Sequence, residues 1–113
     1  MGRIHNPRNE DWSQIERRGA VDVESYVLLP VEKGGRTRLS LTRIKAGGTF
    51  GPHIDDYEHV FCVREGHGEA MVGKQRTAIG PGDVICTDIG EPHGLWANAG
   101  AELVLVTANI YPG

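Results

Sequence analysis

From residue 25 onward the chain alternates between apolar and polar residues in short runs, and glycine or proline separates most runs from the next. Residues 37–45 illustrate the alternation, with Leu39, Leu41 and Arg43 at one set of positions and Ser40, Thr42 and Ile44 at the other. Because successive side chains of a β-strand point to opposite faces, a period of two predicts strands rather than helices.

The same pattern predicts nine or ten short strands. They cover residues 25–29, 37–45, 50–55, 59–65, 68–72, 75–79, 83–87, 93–97 and 102–109. Most of the sixteen glycines and six prolines lie between these runs, with a hairpin turn predicted at 32–36 and a turn at 46–48. Turn signals recur about every 8–12 residues, which is typical of an antiparallel sandwich or barrel. The pattern therefore predicts an all-β fold.

One helix is predicted, over residues 9–19, where capping residues come first and Gly19 follows the last turn. Trp12 and Ile15 are three residues apart and would share one face of that helix. A helix this short is unstable alone. We therefore expect it to dock on the body of the protein.

A length of 113 residues allows a single domain. We expect an N-terminal arm with the short helix over residues 1–20 and one barrel domain over residues 21–113. Hydrophobic residues make up 39% of the chain, and no apolar run approaches the ~20 residues of a membrane helix. The net charge of −3 is spread along the sequence. We expect neither a nucleic-acid partner nor a membrane partner.

Cys62 and Cys86 are too few for a disulfide framework, and each lies in an apolar run. We expect both to be buried free thiols. No apolar stretch follows the first charged residues, so the N-terminus does not resemble a secretory signal. The expected location is the cytoplasm.

Three of the five histidines fall into a pattern with one aspartate. His53 and Asp55 are two residues apart and leave an extended segment on the same face, whereas His59 can join them only if the chain reverses at residues 56–58. His93 arrives from a distant hairpin. Three imidazoles and one carboxylate suit a divalent transition metal such as Fe, Mn, Ni, Zn or Cu. Histidines that are only hydrogen-bonded at the mouth of the barrel are the alternative.

The spacing of Gly47, His53, Asp55, His59 and Gly66 resembles the first motif of the cupin superfamily, G-x5-H-x-H-x3,4-E-x6-G. The family's second histidine is an aspartate here, and its glutamate is a histidine. The inventory of three nitrogens and one carboxylate is therefore unchanged.

The stretch from Gly82 to His93 is similar to the second cupin motif, G-x5-P-x-G-x2-H-x3-N. Asp88 replaces the proline of the motif, and Asn98 lies one place beyond its asparagine. These departures affect the geometry of the loop and leave the ligand set intact. The resemblance covers residues 37–109.

This resemblance implies a double-stranded β-helix, or jelly-roll, barrel and a homodimer. It also implies one divalent metal ion held by His53, Asp55, His59 and His93, with Asp55 binding directly or through water. The expected function is an enzyme, an oxygenase or a lyase/isomerase, that acts on a small organic molecule at the metal. A non-catalytic module that binds or senses a small ligand, or a relic site in a structural dimer, are the alternatives.

Three further residues are candidates for substrate binding. Tyr57 flanks the proposed ligands, and Leu95 shares the face of His93 and would form part of an apolar pocket wall. Arg43 would hold a substrate carboxylate if its face of the strand points into the barrel. If that face points outward, Arg43 is a surface charge.

Overall fold

Nine strands form the framework of the computed structural model, which describes residues 2–113; Met1, at the start of the predicted arm, lies outside the described residues. The strands are β1 Ser13–Gln14, β2 Ala20–Leu29, β3 Thr37–His53, β4 Glu58–Glu65, β5 Gly68–Val72, β6 Gln75–Ile79, β7 Val84–Thr87, β8 His93–Ala97 and β9 Leu103–Ile110. A 3-10 helix spans Asn9–Asp11, and a short helix α1 spans Val31–Gly34. These two are the only helices within residues 2–113.

The sheet is antiparallel and runs in the order β6-β5-β8-β3-β9-β4-β7, with β2 on β3 and β1 on β2. The long strand β3 curls the sheet, because its first half pairs with β9 and its second half pairs with β8. The predicted all-β jelly-roll fold is confirmed.

The predicted turn at 46–48 is instead a bend inside β3. The register against β2 shifts between Val21 and Val23, so that β3 carries extra residues at this point. Gly47 has a φ of 74°, a backbone conformation that glycine adopts without strain. A bulge of this kind bends a strand without ending it.

The barrel interior is filled from one face of each strand. On β3 the inward face carries Ser40, Thr42 and Ile44, and the opposite face carries Leu41 and Arg43. The apolar core consists of Val23, Ile44, Phe61, Val63, Ala70, Ile79, Ile85, Leu95, Ala97, Leu103 and Leu105.

The predicted helix over 9–19 is reduced to the single 3-10 turn. Ser13 and Gln14 form β1 against the edge of β2, which satisfies their backbone groups better than a short isolated helix would. In an extended chain, positions three apart face opposite sides. Trp12 therefore lies over Arg43, with 4.3 Å from the guanidinium carbon to the ring centroid, and Ile15 turns toward the barrel cavity.

The predicted hairpin turn at 32–36 coincides with most of helix α1 and with the turn that follows it. Neither α1 nor the 3-10 helix is long or apolar enough to cross a membrane, and residues 2–113 contain no other candidate.

Cys62 and Cys86 are free thiols, as expected, but both are exposed and not buried. Side chains alternate between the two faces of β4 and β7, and His59, Phe61 and Ile85 point inward. Cys62 and Cys86 occupy the alternate positions and therefore lie on the outer face. They lie in an apolar strip, here called the outer strip. It consists of Leu39, Val60, Cys62, Val84, Cys86, Val106 and Ala108, which are neighbours in register across β3, β9, β4 and β7.

Candidate metal centre

The histidine cluster lies at one end of the barrel, where three strand ends meet. His53 ends β3 and is in register with His93, which begins β8. The chain bends at residues 56–57, and His59 follows near the start of β4. The reversal expected between His53 and His59 is therefore present.

The Nε2 atoms of all three histidines face one oxygen of Asp55. The distances to Asp55 Oδ2 are 2.7 Å from His59, 3.3 Å from His53 and 3.5 Å from His93. The ligand atoms that His53, Asp55 and His93 offer also lie within 4.8 Å of one another. His53, Asp55 and His93 thus form a group that could hold one metal ion, and His59 is joined to it through its contact with Asp55.

Hydrogen bonds at the far side of each ring determine which nitrogen carries the proton. His53 Nδ1 donates to the carbonyl oxygen of Gly51 at 2.8 Å, and His93 Nδ1 donates to that of Glu91 at 2.9 Å. Because a carbonyl oxygen only accepts, a neutral ring in this position presents the lone pair of Nε2. Both rings therefore offer a metal ligand atom to the cluster.

His59 Nδ1 is 2.8 Å from Asn109 Oδ1, which accepts a hydrogen bond in the same way. His59 Nε2 then faces Asp55 Oδ2, and this contact of a nitrogen with a carboxylate oxygen needs a proton or a cation between the two atoms. A proton and a metal ion compete for this position.

The donors fit a divalent metal ion. His93 Nε2 is buried and has no hydrogen-bond partner within the described chain, although it lies in a cluster of polar groups. Such an unpaired buried acceptor costs about 1–3 kcal/mol unless something binds it. A metal ion among three imidazole nitrogens and a carboxylate oxygen would satisfy it.

Arg17 holds the carboxylate of Asp55 in place. Its Nη2 is 2.6 Å from Asp55 Oδ1, which leaves Oδ2 for the histidines. The amide of Gly90, a residue with a φ of 74°, donates to the backbone oxygen of Asp55 at 2.9 Å and fixes the loop. Burial raises the pKa of Asp55, but hydrogen bonds from Arg17 and His59 and the charge of Arg17 outweigh it. The pKa of Asp55 therefore lies below its usual 3.8.

The pKa values of His53 and His93 are lowered from their usual 6.5. The main cause is burial, which disfavours the charged imidazolium, and backbone hydrogen bonds to Gly51 and Glu91 oppose it only in part. Both rings are consequently neutral near pH 7, the form that binds metal.

A cavity of about 190 Å³ opens beside the cluster. Its lining comprises Ile15, Arg17, Ser25, Arg38, Ser40, Thr42, Phe50, His53, Asp55, Tyr57, His59, Phe61, Thr107 and Asn109. A larger groove, of about 350 Å³, lies between β6 and β7, and it contains none of the four clustered residues.

Two predicted substrate-binding residues lie away from this cavity. Arg43 is on the outer face of β3, where its Nε is 2.7 Å from Glu24 Oε1. Leu95 is 2% exposed and packs in the apolar core, because the strand carries it deeper into the barrel than His93. Tyr57 does line the cavity.

Arg17 and Asn109 are site residues that the sequence reasoning missed. The ion pair of Arg17 joins positions 38 residues apart, and the hydrogen bond of Asn109 joins positions 50 residues apart. Neither residue belongs to a motif. The alternation along the last strand was the available signal for Asn109, because it places this polar residue on the inward face.

Comparison with known proteins gives one family match. The model of the family described as Cupin domain matches residues 40–110. A search of curated proteins finds no match to the chain.

Several solved structures share the architecture. The polyketide cyclase RemF from Streptomyces resistomycificus has a TM-score of 0.83 at 24% identity, over 99% of this chain and 80% of that one. A predicted oxalate decarboxylase from Thermotoga maritima has a TM-score of 0.80 at 25% identity, over 93% and 97%. KdgF from Halomonas sp. has a TM-score of 0.76 at 17% identity, over 99% and 96%. The likenesses to RemF and KdgF establish the fold alone.

Proposed function

Because the chain belongs to the cupin domain family, we propose that it is a metal-dependent enzyme that acts on a small organic molecule inside the barrel. The observation that carries the proposal is the convergence of three imidazole nitrogens on Asp55 Oδ2, one of them, His93 Nε2, buried and unpaired.

His53, Asp55, His59 and His93 would hold the metal ion. When bound, a divalent ion in such a site supplies Lewis acidity toward a substrate oxygen, or a position where dioxygen binds if the ion is iron. The protein's own contribution is to fix the four donors. Gly51, Glu91 and Asn109 hold the rings, and these same hydrogen bonds keep the Nε2 lone pairs directed at the site.

Tyr57 is the residue best suited to donate a hydrogen bond to the substrate. Burial raises its pKa above the usual 10.0, the negative charge of Asp55 raises it further, and Arg17 opposes the shift only in part. The phenol is therefore protonated near neutral pH, and its ring borders the cavity. A neutral hydroxyl there can donate to an oxygen on which negative charge develops. This supports the lyase or isomerase form of the proposal.

Binding without catalysis is the alternative function. The name of one protein of the same fold, a predicted oxalate decarboxylase, describes an enzyme and favours catalysis. An enzyme would turn over a substrate only when metal is present, whereas a binding module would hold metal and ligand without turnover.

The test is elemental analysis of the purified protein beside two histidine variants. We expect a divalent transition metal in the wild type, its loss in His93→Ala, and its retention in His67→Ala, whose side chain is exposed and outside the cluster. Circular dichroism checks that both variants fold. A wild type that stays metal-free after incubation with Fe²⁺, Mn²⁺, Ni²⁺, Zn²⁺ and Cu²⁺ would overturn the proposal. Oxygen uptake by the iron-loaded protein in the presence of a candidate phenol or thiol separates an oxygenase from a lyase or isomerase.

We also propose that two copies of the chain pair through the outer strip. No charged side chain lies within the strip, and Val84 is 58% exposed. A second copy would cover it with an equally uncharged surface, so that neither copy buries an unpaired charge. Analytical ultracentrifugation should give a dimer for the wild type and for Thr77→Lys, on exposed β6, and a monomer for Val84→Lys. A monomeric wild type would refute the pairing.

A further inference from the structure

Arg38 borders the cavity without an acidic partner. It lies on β3 at the same parity as Ser40 and Thr42, whose side chains point inward, and it is half-buried. The ion pairs among residues 2–113 join other arginines to acidic side chains, Arg17 to Asp55 and Arg43 to Glu24 among them, and none involves Arg38. A half-buried guanidinium that no carboxylate neutralises is a binding group for an anion.

The strand register relates Arg38 to the metal cluster. Arg38 pairs with Asn109 on β9, and Asn109 pairs with His59 on β4. With neighbouring strands about 4.8 Å apart, the backbones of Arg38 and His59 are separated by roughly 10 Å. Arg38 and His59 therefore border the same cavity about two strand spacings apart, a separation that a small ligand with an anionic group can bridge.

The charges that line the cavity favour an anion. They belong to Arg17, Arg38 and Asp55, and the first and last of these neutralise each other. The positive charge of Arg38 is therefore not neutralised within the cavity, although the net charge of the whole chain is −3. A divalent ion in the cluster would make the cavity more positive still.

Four hydroxyl-bearing side chains form a serine and threonine wall of the cavity, beside the apolar side chains of Ile15, Phe50 and Phe61. Ser25, Ser40, Thr42 and Thr107 all line the cavity, and the hydroxyls of Thr42 and Thr107 are 2.9 Å apart. Hydroxyls both donate and accept, so they match the hydroxyl groups of a ligand. The cavity volume of about 190 Å³ suits a small organic molecule.

We propose that the substrate is a small hydroxylated carboxylate whose carboxylate group pairs with Arg38 and whose hydroxyls face the serine and threonine wall. This inference rests on the proposed function, since it assigns the substrate class of the same site. It adds a specificity-determining residue that lies outside the metal cluster and at a position neither cupin motif includes.

Isothermal titration calorimetry on the wild type and three variants tests the proposal. The probes are glycerate, its neutral amide glyceramide, and propionate, which keeps the carboxylate but lacks the hydroxyls. The proteins are the wild type, Arg38→Gln, Arg38→Lys and a control, Arg64→Gln, whose side chain is exposed on β4. Each protein is titrated with metal and without it.

We expect the wild type to bind glycerate more tightly than glyceramide or propionate. Arg38→Gln should weaken glycerate binding by about 10- to 100-fold, the range for a lost charged hydrogen-bond pair, and leave glyceramide unchanged. Arg38→Lys should lie between the two, because it keeps the charge and loses the planar fork. Arg64→Gln should bind all three probes as the wild type does.

Equal binding of glycerate and glyceramide, or an unchanged affinity for glycerate in Arg38→Gln, would overturn the substrate class. Equal binding of glycerate and propionate would overturn the role of the hydroxyl wall. The metal content of Arg38→Gln should match that of the wild type, because Arg38 is not a ligand. If Arg38→Gln binds glycerate as tightly as the wild type and has a normal metal content, this inference alone is refuted. A wild-type protein that takes up no metal refutes the proposed function.

Discussion

Asn109 offers a sharp test of how the site is held, because its replacement separates metal affinity from stability. Asn109→Leu removes the oxygen that lies 2.8 Å from His59 Nδ1 and keeps a similar side-chain volume. Both residues are buried, with exposures of 9% for Asn109 and 6% for His59. An unpaired buried N–H would cost about 1–3 kcal/mol.

His59 can escape most of that penalty in the metal-free protein. Its proton can move to Nε2, where Asp55 Oδ2 accepts it at 2.7 Å. We therefore expect the free energy of unfolding of the metal-free variant to fall by less than about 1 kcal/mol. The Nε2 lone pair is then lost to the metal, and affinity should fall by about 10- to 100-fold, or about 1.4–2.8 kcal/mol.

The assay is competition for Zn²⁺ between the protein and a chromophoric chelator, with urea unfolding of the metal-free protein beside it. Asn109→Asp keeps an acceptor for Nδ1 and should bind Zn²⁺ at least as tightly as the wild type. Asn98→Leu, at an exposed asparagine, is the matched control. If Asn109→Leu binds Zn²⁺ as tightly as Asn98→Leu does, the tautomer argument is wrong.

Two further predictions concern the metal-free protein. Burial lowers the pKa values of His53 and His93 below 6.5, so the unfolded chain takes up protons before the folded protein does as the pH falls. The free energy of unfolding from urea titrations should therefore be lower at about pH 5.5 than at about pH 7.5, and this loss should be smaller in the double variant His53→Gln, His93→Gln. An equal loss in the wild type and the double variant would refute the assignment. Arg17→Met should lower the free energy of unfolding near pH 7 by about 1–2 kcal/mol, which is less than for a fully buried ion pair because the Arg17 side chain is 35% exposed. The same variant should raise the pKa of Asp55, which NMR titration measures. Arg18→Met, at an exposed neighbour, should change stability by less than about 0.5 kcal/mol, and equal effects at the two positions would contradict the ion-pair argument.

The period of two and the spacing of turn signals were sufficient to predict the strands. The bounds of β5, β6 and β8 match the sequence expectation, because each is short and ends at a turn or a loop. The signal failed at Gly47, where glycine marks a bulge within β3 instead of a turn. Local sequence does not distinguish the two, since the outcome depends on which strand lies alongside.

The candidate site was predictable only where a motif fixes the spacing. His53, Asp55, His59 and His93 come together as their spacing implies. Arg17 was assigned to a helix, and its contact with Asp55 depends on the extended path of the preceding residues, which pairing with β2 determines. Contacts between distant segments of this kind leave no periodic trace in the sequence.

The cavity is lined both by residues of the family-matched region and by residues that precede it. His53, Asp55, His59 and His93 lie within the family-matched region 40–110. Four other cavity-lining residues lie in the segment before it, namely Ile15, Arg17, Ser25 and Arg38. The metal-ligand candidates and part of the cavity wall are thus encoded in separate stretches of sequence, although Ser40, Thr42 and Thr107 of the wall belong to the matched region. Under the proposed function, we expect that exchanging residues 2–38 between relatives would change ligand selectivity and leave the four candidate ligands unaltered.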